Sequence, residues 1–238
     1  MKIGFFGDSY CAGTPEYDIH GCDDNGDFSL TSWPSITTQL VNGSMCCHCI
    51  SGDTLWHTYQ YLTENIENYD IIIICISDPV RPPNKYRIPT INNELFDKVK
   101  AEKVLNQEEI KGYINYLKLQ GKYEAKEYKY AAQIGILFKL DELLGQHGKK
   151  SLILPSFENS LQGYKFQNTP CININLNDDI KVRSLSKNNL LKVKDLDRVN
   201  HLFKKENEVL GKAVADFILN NNVEKIIDFK KYFEYLDN

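Results

Sequence analysis

The chain is poor in the features that would assign it quickly. Among its 238 residues no apolar run is longer than Ile71 to Ile76, far short of the roughly 20 residues a membrane-spanning helix needs. No basic stretch, apolar core and cleavage site open the chain, so no secretory signal is expected and a soluble, cytoplasmic protein is. Neither sign of charge dominates: 28 basic against 32 acidic residues give a net charge of −4, which argues against a nucleic-acid binder by bulk charge. No internal repeat and no low-complexity linker marks a domain boundary, and one domain over residues 1–238 is expected. The turn Gly7-Asp8-Ser9 has neither the glycine-rich cradle nor the lysine of a phosphate-binding loop. The acidic run Asp23-Asp24-Asn25-Gly26-Asp27 lacks the ligand spacing and closing glutamate of a calcium loop.

What the chain does have is an odd number of cysteines, seven, three of them within four residues at Cys46, Cys47 and Cys49. With His48 these could be read as metal ligands. Adjacent residues on a strand point to opposite faces, and no second ligand pair follows at zinc-finger spacing, so thiols filling a core in a reducing compartment is the favoured reading.

The periodicity alternates between the two regular structures. Lys2 to Phe6 reads as a buried strand ended by Gly7, and Thr31-Ser32-Trp33-Pro34 opens a helix with Ile36, Leu40 and Val41 on its apolar face. Ser44 to Ile50 is the second strand, and the helix after it carries Leu55, Trp56, Tyr59 and Leu62. His57 on that helix reads as exposed or packed. Ile71 to Ile76 is the continuous apolar run of a parallel strand covered on both faces. An excursion over residues 80–148 holds two helices, Gln107 to Leu119 and Tyr123 to Leu144, the second with Tyr130, Ile134, Leu137, Phe138 and Leu140 or Asp141 on successive turns. Their tyrosines and lysines read as a solvated face. Ser151 to Leu154 is a fourth strand and Thr169 to Ile174 a fifth. Lys204 to Asn221 is an amphipathic helix, and the tail 223–238 is one more helix or a partner-binding segment. This order predicts an α/β protein with a central parallel sheet between helical layers.

The chemistry-bearing residues lie at the two ends. Ser9 follows the first strand, where open α/β sheets place their sites, and His201 stands close behind Asp195 and Asp197 before the last amphipathic helix. A hydroxyl, an imidazole and a carboxylate are the parts of an activated nucleophile. Phe6-Gly7-Asp8-Ser9-Tyr10 resembles the opening block of the GDSL or SGNH hydrolases. That resemblance implies a flavodoxin-like three-layer sandwich and an esterase needing no metal or organic cofactor. It implies Ser9 as nucleophile, His201 as base with Asp197 orienting it, and the N–H groups of Ser9 and Gly52 in an oxyanion hole.

Two blocks depart from the family pattern. Cys75-Ile76-Ser77-Asp78 stands where a Gly-x-Asn-Asp block would, which puts Ser77 at the asparagine position, with Arg81 or Asn84 as alternative donors. Asp197 lies four residues before His201 rather than three, so Asp195, or a backbone carbonyl in a serine and histidine dyad, stays open as the orienting group. Arg81 is equally open between binding an anionic part of a substrate and pairing with an acidic neighbour. The expected substrate is a small-molecule or glycan ester. The alternative is an SGNH-like scaffold kept for binding or self-association. The Asn-, Lys- and Ile-rich composition is that of an AT-rich coding source, viral or bacterial.

Overall fold

In a computed structural model the described residues are 1–8, 10–11, 32–50, 53–79, 81, 83, 102–123, 126–156, 160–170, 204–224 and 226. The order of elements is β1 (Lys2–Gly7), α1 (Trp33–Leu40), β2 (Ser44–Cys49), α2 (Leu55–Asn65), β3 (Ile71–Ile76), α3 (Gln107–Tyr123), α4 (Lys126–Gln146), β4 (Lys150–Pro155) and α5 (Lys204–Asn220). The strands form one parallel sheet in the order β2-β1-β3-β4. The protein is therefore α/β, with a parallel sheet flanked by helices on both faces.

Sequence alternation explains the layers. On β3, Ile71, Ile73 and Cys75 join Ile3 and Phe5 of β1 under α1 and α5. Ile72, Ile74 and Ile76 join Phe6 under α2 and α4. A strand whose every residue is buried needs cover on both faces, which is why its sequence is a continuous apolar run rather than an alternating one. The chain leaves β1 to one side for β2 and returns on the other side for β3. This reversal makes the carboxyl ends of β1 and β3 the switch point at which such sheets open a crevice.

Several expectations about faces are corrected. On α1, Leu40 is about half exposed and the buried residues are Trp33, Pro34, Ser35, Thr37 and Thr38. Thr37 can be buried because its hydroxyl donates to the carbonyls of Trp33 (2.8 Å) and Gly211 (3.1 Å), where α1 meets α5. The two helices approach closely at Gly211, where a Cβ would stand 2.8 Å from Ile36 Cγ2. On α4, Ile134 and Phe138 are exposed, while Gln133, Leu137, Leu140, Asp141 and Leu144 are buried. Asp141 takes a core position because the segment after β4 supplies donors: the N–H groups of Gln167 (2.7 Å) and Asn168 (3.1 Å) and the Tyr164 hydroxyl (3.3 Å).

Of the expected fifth strand, Thr169 and Pro170 are not in a strand, although Ile153 N–H of β4 donates to the Pro170 carbonyl at 3.1 Å; residues 171–174 lie outside the described residues. So does most of the tail. Its Ile226 is buried with α5 in the first core. No helix among the described residues is long and apolar enough to cross a membrane.

Candidate functional site

The sheet's carboxyl edge gathers charge that the core would otherwise exclude. Asp8, the residue after β1, has no exposed surface. Its Oδ1 accepts from Tyr10 N–H (3.1 Å) and the Ser156 hydroxyl (3.2 Å), and its Oδ2 accepts from Arg81 Nη1 (3.2 Å). Burial pushes the Asp8 carboxyl above its usual range, opposed by the Arg81 guanidinium, the Tyr10 N–H and the Ser156 hydroxyl. A carboxylate so fully engaged is a brace and not a free base. It holds the turn that follows β1, where Cys11 N–H also donates to the Asp8 carbonyl (3.0 Å) and the Trp33 indole N–H to that of Tyr10 (2.7 Å).

Arg81 reaches a second segment. Its Nη1 lies 3.4 Å from the Asp53 carbonyl, so one guanidinium joins the residue before Ser9 to the residue after Gly52. Arg81 itself is set by a turn in which its N–H donates to the Asp78 carbonyl (3.2 Å). Of the two readings open for it, pairing with an acidic neighbour is what these contacts describe. The ends of the two strands are also tied directly, Ile50 N–H donating to the Gly7 carbonyl (3.1 Å) and Asp53 N–H to that of Ile50 (2.9 Å).

Asp53 leads into α2 and is buried, with Oδ1 accepting from Thr54 N–H (2.8 Å) and lying 2.5 Å from Nδ1 of His57. Against a carboxylate the His57 proton sits on Nδ1. His57 is thus the packed member of the exposed-or-packed alternative. The i, i+4 spacing of Asp53 and His57 after the Gly52 turn is the signal in the sequence that could have paired them.

Ser77, just past β3, is buried, and its hydroxyl has no hydrogen-bond partner among the described residues. Its carbonyl accepts from Gln133 Nε2 (3.2 Å), which also donates to the Ser160 carbonyl (3.2 Å). The Ile76 carbonyl accepts from the Ser160 hydroxyl (2.9 Å) and from Ser156 N–H (3.0 Å). The loops after β3 and β4 are therefore knitted to each other and, through Ser156, to Asp8. Sequence reasoning missed Gln133 and Ser156, since a glutamine on a helix and a serine after a strand carry no signature of their own.

The remaining candidates, Ser9, Gly52, Asp197 and His201, together with Asp195 and Asn84, lie outside the described residues. Cys46, Cys47 and Cys49 are free thiols on β2, and His48 between them is packed in aromatic surroundings. Its ring stacks on Phe6 with centroids 5.1 Å apart and its Nε2 lies 2.7 Å from the Tyr69 hydroxyl. No group of three or more potential metal ligands occurs among the described residues.

No family model matches this chain, and no curated protein matches it. Among solved structures, a protein assigned to the lipolytic G-D-S-L family from Desulfitobacterium hafniense DCB-2 aligns at 13% identity and a TM-score of 0.38, covering 90% of this chain and 97% of that one. An acetyl xylan esterase from the rumen bacterium Butyrivibrio proteoclasticus aligns at 11% identity and a TM-score of 0.43, covering 92% of this chain and 64% of that one. A carbohydrate esterase described as having divergent catalytic and non-catalytic binding functions aligns at 12% identity and a TM-score of 0.44, with 91% and 64% covered. Likenesses at this level assign no role to any residue here.

Proposed function

We propose that this protein is a serine hydrolase of the SGNH type that cleaves carboxylic esters through an acyl-enzyme. The observation that carries the reading is the Arg81 clamp. A guanidinium 3.2 Å from Asp8 Oδ2 and 3.4 Å from the Asp53 carbonyl brings together the sequence neighbours of Ser9 and Gly52, the residues assigned to nucleophile and oxyanion donor. Burying an aspartate and an arginine beside a turn is expensive, and a chain that does so at a sheet's switch point is holding that turn in one geometry.

In this reading the Ser9 hydroxyl attacks the ester carbonyl while His201 removes its proton, and Asp197 orients the imidazole and stabilises its charged form. The N–H groups of Ser9 and Gly52 take the developing oxyanion, each such donor being worth about 3–4 kcal/mol. The Ser77 hydroxyl, buried and unpartnered among the described residues, is the third donor in place of an amide. His201 then protonates the departing alcohol, and water resolves the acyl-enzyme by the same steps. The substrate class is a small-molecule or glycan ester.

The test is hydrolysis of short-chain nitrophenyl esters by the wild-type protein and by Ser9→Ala, with fluorophosphonate labelling mapped by mass spectrometry. Turnover that vanishes in the variant, with label on Ser9, supports the proposal. A folded protein that neither turns over the esters nor takes label overturns it and leaves a binding scaffold as the better account.

A further inference from the structure

Asp53 is held at its N–H, its carbonyl and its carboxylate. The N–H donates to the Ile50 carbonyl (2.9 Å), and the carbonyl accepts from Arg81 Nη1 (3.4 Å). Oδ1 accepts from Thr54 N–H (2.8 Å) and from Nδ1–H of His57 (2.5 Å). Asp53 and His57 are both more than nine-tenths buried. The bond to Ile50 joins the residues on either side of Ser51 and Gly52, and Ile50 is itself tied to the Gly7 carbonyl at the end of β1.

The start of α2 does not require this arrangement. Thr54 stands at the N-cap, where a hydroxyl ordinarily accepts from an N–H of the first turn. Here that hydroxyl makes no cap bond and is buried without a partner among the described residues. An aspartate ahead of a helix already favours its dipole with no histidine behind it. What His57 adds is a fixed direction for the carboxylate. It does so from a helix that Leu55 and Leu62 anchor in the core.

We propose that His57 is a positioning residue for the oxyanion donor at Gly52, acting through the Asp53 carboxylate. The proposal rests on the serine-hydrolase reading above, in which the Gly52 N–H takes charge from the substrate. Oxyanion donors work by being aimed before the charge develops, and a supporting layer of hydrogen bonds keeps that aim. Glycine is the residue least able to hold its own backbone, so a donor at Gly52 is held by its neighbours. On one side stands Ile50 of the β2 end. On the other stands Asp53, its carboxylate tied to α2 by His57 and its carbonyl tied through Arg81 to Asp8, the residue before Ser9. His57 touches no substrate in this scheme and transfers no proton.

The experiment compares the full-length wild type with two variants. His57→Phe keeps a ring and loses the donor, and His57→Asn puts an amide N–H close to the place of Nδ1. Both are matched to the wild type by thermal unfolding, with His57→Leu replacing a His57→Phe that does not fold. For a short-chain nitrophenyl ester, kcat is expected to fall roughly tenfold to a hundredfold in His57→Phe, short of the 10²–10³ lost with a whole donor, while KM is unchanged. His57→Asn recovers most of that loss. The backbone order parameter of the Gly52 amide, from nitrogen-15 relaxation, falls in His57→Phe and returns in His57→Asn, while that of Ile73 in β3 does not move. A loss confined to KM, a His57→Asn no better than His57→Phe, or a Gly52 order parameter that is the same in all three proteins overturns the proposal. A wild type that neither turns over the ester nor takes fluorophosphonate on Ser9 overturns the hydrolase reading instead, and the Gly52 order parameter then decides by itself whether His57 holds that residue.

Discussion

Arg81 and Asp8 form an ion pair that holds the end of β1 from within: Nη1 lies 3.2 Å from Oδ2, and the carboxylate has no exposed surface. The pair sits between the first strand and the turn after the third, so neither segment can shift without uncovering a charge. Breaking a buried pair by removing one partner typically costs about 3–5 kcal/mol, because the other charge is left uncompensated. Arg81→Met is expected to lose stability of about that size at neutral pH, measured by urea unfolding, and to lose less at acid pH, where Asp8 escapes by taking a proton. A variant as stable as wild type at neutral pH would show that the pair does not brace the fold.

Asp8 is expected to give stability an unusual pH dependence. Burial, the largest influence, raises its folded-state pKa above the unfolded value, so the folded protein binds the proton more tightly. Between the two values the native state carries more protons than the unfolded one, and the slope of stability with pH is negative. Asp8's contribution is thus fully present below the ordinary carboxylate range and lost as pH rises through its raised value. Asp8→Asn cannot titrate, so the stability difference between wild type and variant should shift in the variant's favour over that window in paired urea titrations. A difference that moves the other way would mean Arg81 outweighs burial.

Gly7 has a φ of +134°, and a Cβ there would stand 2.3 Å from the Cys75 carbonyl oxygen and 2.8 Å from the Cys75 Cβ. Residues forced into such backbone regions cost about 1–3 kcal/mol, and the obstructing oxygen is backbone that cannot swing aside. Gly7→Ala should therefore melt well below the wild type or fail to accumulate as soluble protein. An unchanged melting temperature would contradict the backbone described for the end of β1.

Gln133 donates from one amide to the buried carbonyls of Ser77 and Ser160. Gln133→Leu removes both hydrogen bonds, and a buried carbonyl left without a donor typically costs about 1–3 kcal/mol. If Ser77 donates to the oxyanion, the same variant should lower kcat for ester hydrolysis with little change in KM, because the donor loses its support while substrate binding does not. A loss confined to KM would remove Ser77 from that role.

Trp33 donates its indole N–H to the Tyr10 carbonyl at 2.7 Å and packs edge-on to Phe5, with centroids 5.5 Å apart. Trp33→Phe keeps an aromatic ring and drops the donor, and about 1–3 kcal/mol of stability should go with it. Amide exchange at Tyr10 and Cys11 should quicken in the variant. Unchanged exchange there would show that Trp33 only fills the core.

The sheet was legible because its residues have few alternatives. Ile71 to Ile76 cannot alternate between core and water when every position is apolar, so a covered parallel strand follows, and the order of strand and helix segments makes the layered α/β arrangement follow in turn. The helix faces were less legible. Periodicity ranks residues by hydropathy, and on α1 and α4 polar residues with distant partners displaced apolar ones. Thr37 is buried by the Gly211 carbonyl, Asp141 by the N–H groups of Gln167 and Asn168, and Gln133 by two loop carbonyls.

For the candidate site the division is similar. A strand running into Gly7-Asp8-Ser9, and a second running into Ser51-Gly52-Asp53, can be read from the chain because turn residues after apolar runs are local signals. That Arg81 would close on both, 73 residues from Asp8 and 28 from Asp53, cannot. Nor can the placing of Cys49 and Cys75 on either side of Gly7. Local sequence determined which segments become strands, helices and turns through backbone preference and burial. Which charges face each other was decided only by the strand order, because a sheet that returns past its first strand brings together side chains that share no local pattern.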